Sequence, residues 1–343
     1  MRKAPAPSYA RLPGASWDTL RRALLDAMTA MRGELDPAGD VASAVVAFPG
    51  PVDQAGRVLA APTLWGKADG KADGKADGKA DGKLDSKGDT TGDGTEASAG
   101  TVVRPAVYPY DLGRDLEQAW PGVRVAVLND VTAAGYRYLR GADDEFCIVT
   151  ISTGIGNKVF ARGRPLTGPL GTGGEIGHVV VQTSVDAPAC DCGGRGHLGA
   201  IASGRGSEQR ARALAEHDSR AFGASILATS MGLTPQTVTA EALATAYREA
   251  DAWATGVMAN ALGALASVFA TTHLAIGVGR FVLVGGFAFG LGPRFCEALA
   301  RETNARCWKG DGAAVSVVLG EPDGACALLG AGQAGEARDS TRV

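Results

Sequence analysis

The chain has 343 residues, 45% of them hydrophobic, and a formal net charge of −3 at pH 7. This length leaves room for two lobes with a sizeable core, and so small a charge argues against a nucleic-acid-binding surface. The N-terminal segment has no apolar signal core, and no stretch combines the length and polarity expected of a membrane span. We therefore expect a cytoplasmic protein without a nucleic-acid or membrane partner.

The first predicted elements are a helix and a strand. Leucine and methionine recur at helical spacing after Ser16, a residue type that favours helix N-caps, which predicts an amphipathic helix over 17–35. The apolar run Ala44–Phe48 predicts a buried strand. It stops at Pro49-Gly50-Pro51, as expected of a strand that leads into a loop at an active site.

A low-complexity segment comes next. Residues 67–83 repeat Lys-Ala-Asp-Gly four times, and the chain stays polar and rich in glycine to about Gly100. Such a composition cannot bury a core, which predicts a disordered surface insertion over 67–100. Its aspartates lack the alternate spacing and the terminal glutamate of a calcium loop.

The remaining pattern alternates between strands and helices. The apolar run Val123–Leu128 predicts a strand that ends at Asn129-Asp130 and leads into a helix. Alternation of this kind favours two α/β lobes with the active residues at strand ends, in a cleft between the lobes. The further predicted elements are a helix at 131–140, strands at 146–152 and 157–162, a helical region at 239–271, a strand at 280–284, a helix at 289–303, a strand at 314–319 and a helix at 322–333.

The segment 171–199, GTGGEIGHVVVQTSVDAPACDCGGRGHLG, contains two of the four histidines and two of the six cysteines. Imidazoles and thiolates are the ligands that a tetrahedral structural Zn²⁺ prefers, and four of them close its coordination sphere. We therefore predict a structural zinc site formed by His178, Cys190, Cys192 and His197. The alternative is that both thiols are ordinary loop cysteines. The other cysteines stand singly, which predicts reduced, packed thiols at Cys147, Cys296, Cys307 and Cys326.

Asp130 is a candidate catalytic base, because it follows a buried strand and should project from the carboxyl end of that strand. A carboxylate in this position can accept the proton of a hydroxyl group whose oxygen acts as a nucleophile. Spacing alone is equally consistent with a helix N-cap.

A glycine-rich turn that contains Thr153, Gly154 and Gly156 is a candidate for phosphate contacts, since bare backbone N–H groups can approach phosphate oxygens there. By itself it is also consistent with an ordinary hairpin turn. Gly285-Gly286, after the apolar run FVLV, indicates by itself only a turn.

These motifs together resemble those of the ROK family, which contains sugar kinases and sugar-responsive repressors. GEIGH at 174–178, followed by C-x-C-G-x-x-G and one further ligand, is similar to the family signature GEIGH…CxCGxxGCxE. LNDVTAAGY resembles the family's Asn-Asp motif, STGIGNKVFARGRPLTG its second phosphate segment, Gly285-Gly286 its adenosine-binding loop, and PGPVD at 49–53 a loop that lines its sugar pocket. The resemblance covers roughly 40–63 and 105–333.

The resemblance implies a two-lobed actin-like ATPase (ribonuclease H-like) α/β fold with a structural zinc loop. The small lobe would comprise 1–131, completed by a C-terminal helix at 322–335, and the large lobe 132–321. Asp130 would be the catalytic base. Substrate would contact Gly50, Asn129, Glu175 and His178, and the nucleotide would contact Thr153, Gly154, Gly156, Gly285 and Gly286.

The sequence departs from the family pattern in three places. His197 stands where the family has its third cysteine, an exchange that zinc tolerates. Gly199 stands where the family has a glutamate that contacts the sugar, so the acceptor need not have an ordinary anomeric centre. Family kinases open with an Asp-x-Gly-Gly-Thr turn that nothing before Ser16 supplies. Because Met1–Pro13 resembles the end of that hairpin, we expect the natural start to lie upstream of Met1.

We therefore expect a kinase that uses ATP and Mg²⁺ to phosphorylate a primary hydroxyl of a hexose-like substrate: glucose, an aminohexose or a C7-cyclitol of antibiotic biosynthesis. A homodimer is a further expectation. The first alternative is a catalytically inactive sugar-binding protein of the same family, supported by the missing N-terminal turn. The second is a repressor, which the short N-terminal segment disfavours because it has no room for a winged helix.

Overall fold

The computed structural model describes residues 11, 15–59, 109–168, 171, 173–308 and 314–340. The predicted insertion at 67–100 and nearly all of Met1–Pro13 lie outside these residues. In chain order the elements are α1 (Trp17–Leu35), β1 (Ser43–Phe48), α2 (Leu112–Ala119), β2 (Arg124–Asn129), α3 (Asp130–Tyr136), β3 (Phe146–Ile151), β4 (Ile155–Ala161), β5 (Arg164–Pro165), α4 (Leu198–Ala202), α5 (Gly204–His217), α6 (Ser219–Gly223), α7 (Ile226–Thr229), α8 (Ala240–Arg248), α9 (Ala252–Ile276), β6 (Arg280–Val284), α10 (Gly286–Arg306), β7 (Ser316–Leu319) and α11 (Cys326–Ser340), with single 3₁₀ turns at Ile176–His178 and Pro235–Thr237.

The smaller sheet consists of β1 and β2. The two strands pair in parallel, so Phe48 lies opposite Asn129 and both strands end at the same edge. Helices α1 and α2 cover the sheet, and Leu20, Leu116 and Trp120 are buried in the core beneath them. This pairing therefore places the loop after β1 next to the start of α3.

The larger sheet has the strand order β5-β4-β3-β6-β7. Strand β3 pairs antiparallel with β4 and parallel with β6, and Thr150 lies opposite Val284. The carboxyl ends of β3 and β6 are therefore neighbours. The helical layer on this sheet is densely packed, since the rings of Phe269 on α9 and Phe281 on β6 stack with centroids 4.2 Å apart.

The last described helix, α11, packs on α3 and on β1 of the smaller sheet. Its Ala331 and Ala334 are buried together with Leu128 and Ala133. Gly330 allows this close approach, because a Cβ there would collide with the carbonyl oxygen of Ala133. The predicted division of the chain into lobes at residue 131 stays a prediction.

The helical region predicted over 239–271 is two helices. Ala250 adopts a positive φ of 62°, and the side chain of Asp251 then accepts the N–H of Ala254 to cap α9. The chain therefore turns between α8 and α9 at a point that apolar periodicity alone does not reveal.

Helix α9 corrects the expectation that no stretch has the character of a membrane span. Its 25 residues are long and apolar enough to cross a membrane, by length and composition only. Half of its most apolar window is buried, and Met258, Leu265 and Phe269 belong to the core of the larger lobe. Core packing accounts for this composition.

Candidate active site and metal-binding loop

Strand β2 runs into helix α3 without a loop, which places Asn129 and Asp130 at the carboxyl edge of the small sheet. Oδ1 of Asn129 accepts the N–H groups of Val131 (3.0 Å) and Thr132 (3.1 Å), so Asn129 caps the helix and Asp130 does not. Nδ2 of Asn129 donates to the carbonyl oxygen of Gly50 (2.9 Å) and to Oδ1 of Asp130 (3.0 Å). Three predicted site residues are thus joined by one amide.

The two oxygens of the Asp130 carboxylate have different surroundings. Oδ1 accepts the N–H of Val131 at 2.9 Å and the Asn129 amide, whereas no hydrogen bond from another residue to Oδ2 is found in the described part of the chain. Burial raises the pKa of Asp130 above its usual value, while these hydrogen bonds and the positive charge of Lys158 act to lower it. A carboxylate that is fixed through one oxygen and has a raised pKa suits proton abstraction.

The turn at 173–177, here called the acidic turn because it contains Glu175, packs on strand β4. It precedes the metal loop, the segment 178–197 that contains the predicted zinc ligands. Glu175 is exposed and precedes the 3₁₀ turn Ile176–His178. Oδ1 of Asn157 accepts the N–H of Ile176 at 3.0 Å, and Nζ of Lys158 donates to the carbonyl oxygen of Gly173. Sequence reasoning missed both β4 residues. The signal was present, because an amide and an ammonium stand side by side in an otherwise apolar strand.

The two predicted nucleotide turns meet at the carboxyl edge of the larger sheet. The first is tighter than predicted: it spans 152–154, closed by the N–H of Ser152 donating to Gly154 O at 2.9 Å. Gly156 lies inside β4, opposite Thr150, and not in the turn. Gly285 has a φ of 101°, and a Cβ there would lie 2.6 Å from the carbonyl oxygen of Ile151. The turn after β6 therefore packs directly on the end of β3.

A cavity of about 400 Å³ opens beside these turns, and Thr153 and Gly286 both line it. The first residues of α5 and α10 also line it, among them Arg205 and Phe287. Helix N-termini present free N–H groups and a partial positive charge, which favour phosphate oxygens. The cavity combines these features with an aromatic side chain, an arrangement compatible with a nucleotide.

The predicted zinc ligands lie together. Their ligand atoms are all within 4.8 Å of one another, with His178 Nδ1 3.5 Å from His197 Nδ1, Cys192 Sγ 3.2 Å from His197 Nδ1 and Cys190 Sγ 3.8 Å from His178 Nδ1. A tetrahedral ion with bonds of about 2.0–2.3 Å requires ligand separations of about 3.3–3.8 Å. The donor set fits Zn²⁺, and the three separations given between individual ligand atoms lie in or close to this range. Because Nδ1 of His178 faces the other ligands, Nε2 is left for the predicted substrate contact.

The metal loop also reaches the cavity. Asp191, between the two cysteines, forms an ion pair with Arg205, which lines the cavity beside Thr153. Gly199 lies behind the acidic turn, where a Cβ would be 3.2 Å from the carbonyl oxygen of Gly177.

Comparisons with known proteins identify relatives of this chain. The chain is 40% identical over 296 residues to a C(7)-cyclitol 7-kinase of Streptomyces hygroscopicus subsp. limoneus, covering 85% of this chain and 73% of that protein. It is 31% identical over 222 residues to a 2-epi-5-epi-valiolone 7-kinase of an Actinoplanes species, covering 60% of each.

Among solved structures, a ROK family glucokinase from Streptomyces griseus, in complex with glucose and AMPPNP, superposes with a TM-score of 0.64 at 20% identity, over 90% of this chain and 86% of that one. This likeness confirms the expected two-lobed fold. The family model described as ROK family matches residues 99–332, more than half of the sequence. The chain therefore belongs to the ROK family.

Proposed function

We propose that the chain is an ATP-dependent kinase that phosphorylates a primary hydroxyl of a sugar or of a C7-cyclitol. The observation that carries the proposal is the 40% identity to a C(7)-cyclitol 7-kinase over 85% of the chain. The second relative is named a 2-epi-5-epi-valiolone 7-kinase. Gly199 supports the same choice, since the glutamate expected to grip an anomeric centre is absent from that position. We therefore favour a cyclitol of the kind associated with antibiotic biosynthesis over glucose.

The geometry suggests how the chain's own residues act. Oδ2 of Asp130 accepts the proton of the acceptor hydroxyl as its oxygen bonds to the γ-phosphorus and the bond from phosphorus to the ADP oxygen breaks. Asn129 and the Gly50 loop hold the carboxylate in place, and Glu175 and His178 supply polar contacts to the ring hydroxyls. Mg²⁺ bound with ATP would supply positive charge beside the transferred phosphoryl group.

The cavity beside Thr153 and Gly286 is the proposed nucleotide site. Backbone N–H groups of the turn after β3 and of the α10 N-terminus would contact phosphate oxygens there. The turn residues Gly154 and Gly285 keep the backbone bare, which lets the phosphates approach.

The zinc site has a structural role in this proposal. His178, Cys190, Cys192 and His197 would occupy all four positions, which leaves no open position for substrate or water. The ion would fix the loop and, through His178, the acidic turn with Glu175. We also propose a cytoplasmic location and a homodimer, the latter testable by sedimentation of the purified chain.

A direct assay tests the function. The purified chain is incubated with MgATP and, separately, with glucose, N-acetylmannosamine or 2-epi-5-epi-valiolone, while ADP release and the mass of the product are measured. We expect ADP release that depends on the acceptor, is fastest with the cyclitol and adds one phosphoryl group. Binding of an acceptor by calorimetry without any ADP release would instead support the inactive sugar-binding protein.

A further inference from the structure

A buried lysine that the proposed mechanism does not use lies beside the acceptor site. Lys158 is only 3% exposed, in the middle of β4. Lysine is rarely so deeply buried, because removal of an ammonium from water is costly unless other groups compensate its charge. The contacts of Lys158 therefore show how far its charge is compensated.

The direction of the side chain follows from the strand. Alternate residues of a strand share one face, so Lys158 shares its face with Gly156 and Phe160. Both neighbours contact α3: a Cβ on Gly156 would lie 3.3 Å from Cγ2 of Val131, and the Phe160 ring meets that of Tyr136 edge-on with centroids 5.2 Å apart. Lys158 thus enters the layer between β4 and α3, the helix that begins at Asp130.

The ammonium reaches the acidic turn. Nζ donates to Gly173 O, and a Cβ on Gly174 would lie 3.0 Å from both Cδ and Nζ. The acidic turn has a further contact with Asn157, the neighbour of Lys158 on β4. The side chain of Asn157 accepts the N–H of Ile176, on the other side of Glu175. Two adjacent β4 side chains therefore hold the turn on both sides of its carboxylate.

The charge of Lys158 remains incompletely paired within the described structure. An ammonium has three donors, and a single acceptor, Gly173 O, is found for them. Among the described residues, no carboxylate oxygen lies within ion-pair distance of Nζ. Burial lowers the pKa of the Lys158 ammonium, and the negative charges of Glu175 and Asp130 act to raise it.

We propose that Lys158 is a positioning residue of the acceptor site, which holds the acidic turn on β4 beside α3, the helix that begins at Asp130. This role deepens the proposed kinase function and rests on it. Burial raises the pKa of Asp130, and the positive charge of Lys158 acts in the opposite direction, to lower it. Asp130 is able to accept a proton only while it is ionised.

The test compares Lys158→Met, which keeps the length of the side chain without its charge, with Lys158→Arg. The matched control is Arg164→Met, which removes an exposed positive charge from the neighbouring strand β5. For Lys158→Met we expect kcat/KM for the acceptor to fall about tenfold or more, as small misplacements of reacting groups do, with KM for ATP unchanged.

The pH profile separates positioning from simple packing. Loss of the ammonium raises the pKa of Asp130, so the acid limb of kcat/KM should move to higher pH in Lys158→Met and return toward the wild-type position in Lys158→Arg. A melting temperature close to wild type shows that the variant is folded. An unchanged acid limb with unchanged kcat/KM, or an equal loss in Arg164→Met, would overturn the proposal.

Hydrogen exchange keeps this test independent of the proposed function. In Lys158→Met the amides of 173–177 should exchange faster than in the wild type, whereas Arg164→Met should leave them unchanged. If the wild-type chain phosphorylates none of the three acceptors, the kinase proposal fails, and the exchange of these amides still decides whether Lys158 holds the turn. Unchanged exchange in Lys158→Met contradicts that role.

Discussion

The Asn129-Asp130 junction and the metal loop are built on different principles. At the junction, the Asn129 side chain makes hydrogen bonds of 2.9–3.1 Å to backbone and carboxylate groups, next to the buried Thr132 and Ala133. In the metal loop, His178 and Cys192 are exposed. The junction is preorganised by hydrogen bonds within the fold, whereas the loop places four ligand-type side chains close together, and in our proposal a cation holds them.

The two sites are therefore vulnerable in different ways. Hydrogen bonds at a helix start survive as long as the helix does, so a substitution there changes the chemistry before it changes the fold. A closed metal site contributes its binding energy to the folded state, so loss of one ligand changes the structure first. Substitutions at the two sites should separate these effects.

The largest effect is expected at the junction. Asp130→Asn should lower turnover by about 10²-fold or more, because the amide cannot accept the hydroxyl proton. Acceptor affinity and the unfolding midpoint should change little, since the amide keeps the shape of the carboxylate. Steady-state kinetics, calorimetry and denaturation measure these quantities, with the exposed Asp26→Asn as the control. Near-full turnover in Asp130→Asn would show that the carboxylate is not the base.

The next effect is expected in the metal loop. The purified chain should contain about one Zn²⁺, and Cys192→Ala should lose it together with more than about 2 kcal/mol of unfolding free energy. Metal analysis and chemical denaturation test this, and Cys307→Ala, which lies outside the cluster, is the matched control. A zinc-free wild-type chain whose stability is unaffected by Cys192→Ala would contradict the zinc assignment and remove the contrast.

The smallest effect concerns the helix cap. Asn129→Ala should lower the unfolding free energy by about 1 kcal/mol, the usual cost of a lost N-cap. Asn129→Ser keeps an oxygen that can cap the helix but loses the donor to Gly50 and Asp130. It should therefore retain most of the stability and still lose turnover. Equal turnover in Asn129→Ser and wild type would mean that the link to Gly50 and Asp130 is not needed.

Sequence reasoning located the elements whose signals are local. The helix predicted at 17–35 is Trp17–Leu35, and the strand predicted at 280–284 is Arg280–Val284. Sequence reasoning did not predict the turn at Ala250 or the position of Gly156 inside β4. Both depend on tertiary contacts, which apolar periodicity does not reveal.

The candidate site shows the same limit. Residue type and spacing were sufficient to name the predicted zinc ligands, since two imidazoles and two thiols within one short segment form the donor set of a structural zinc site. Asn129 was predicted to read a sugar hydroxyl, and its role as cap and as link to Gly50 appears only in three dimensions. Lys158 was overlooked although it stands beside Asn157 in an otherwise apolar strand, because its contact with Gly173 appears only in three dimensions.

The close seating of Gly330 against Ala133 has a consequence for biosynthesis. Residues near 45 and 133 leave the ribosome long before α11, the helix that covers them, has been translated. Their apolar surface therefore stays exposed, or is covered by a chaperone, until about two hundred further residues have been translated. Translation proceeds at roughly 5–20 residues per second. Slow translation or early termination would lengthen that interval, so the yield of folded protein should be most sensitive to truncations within 326–337.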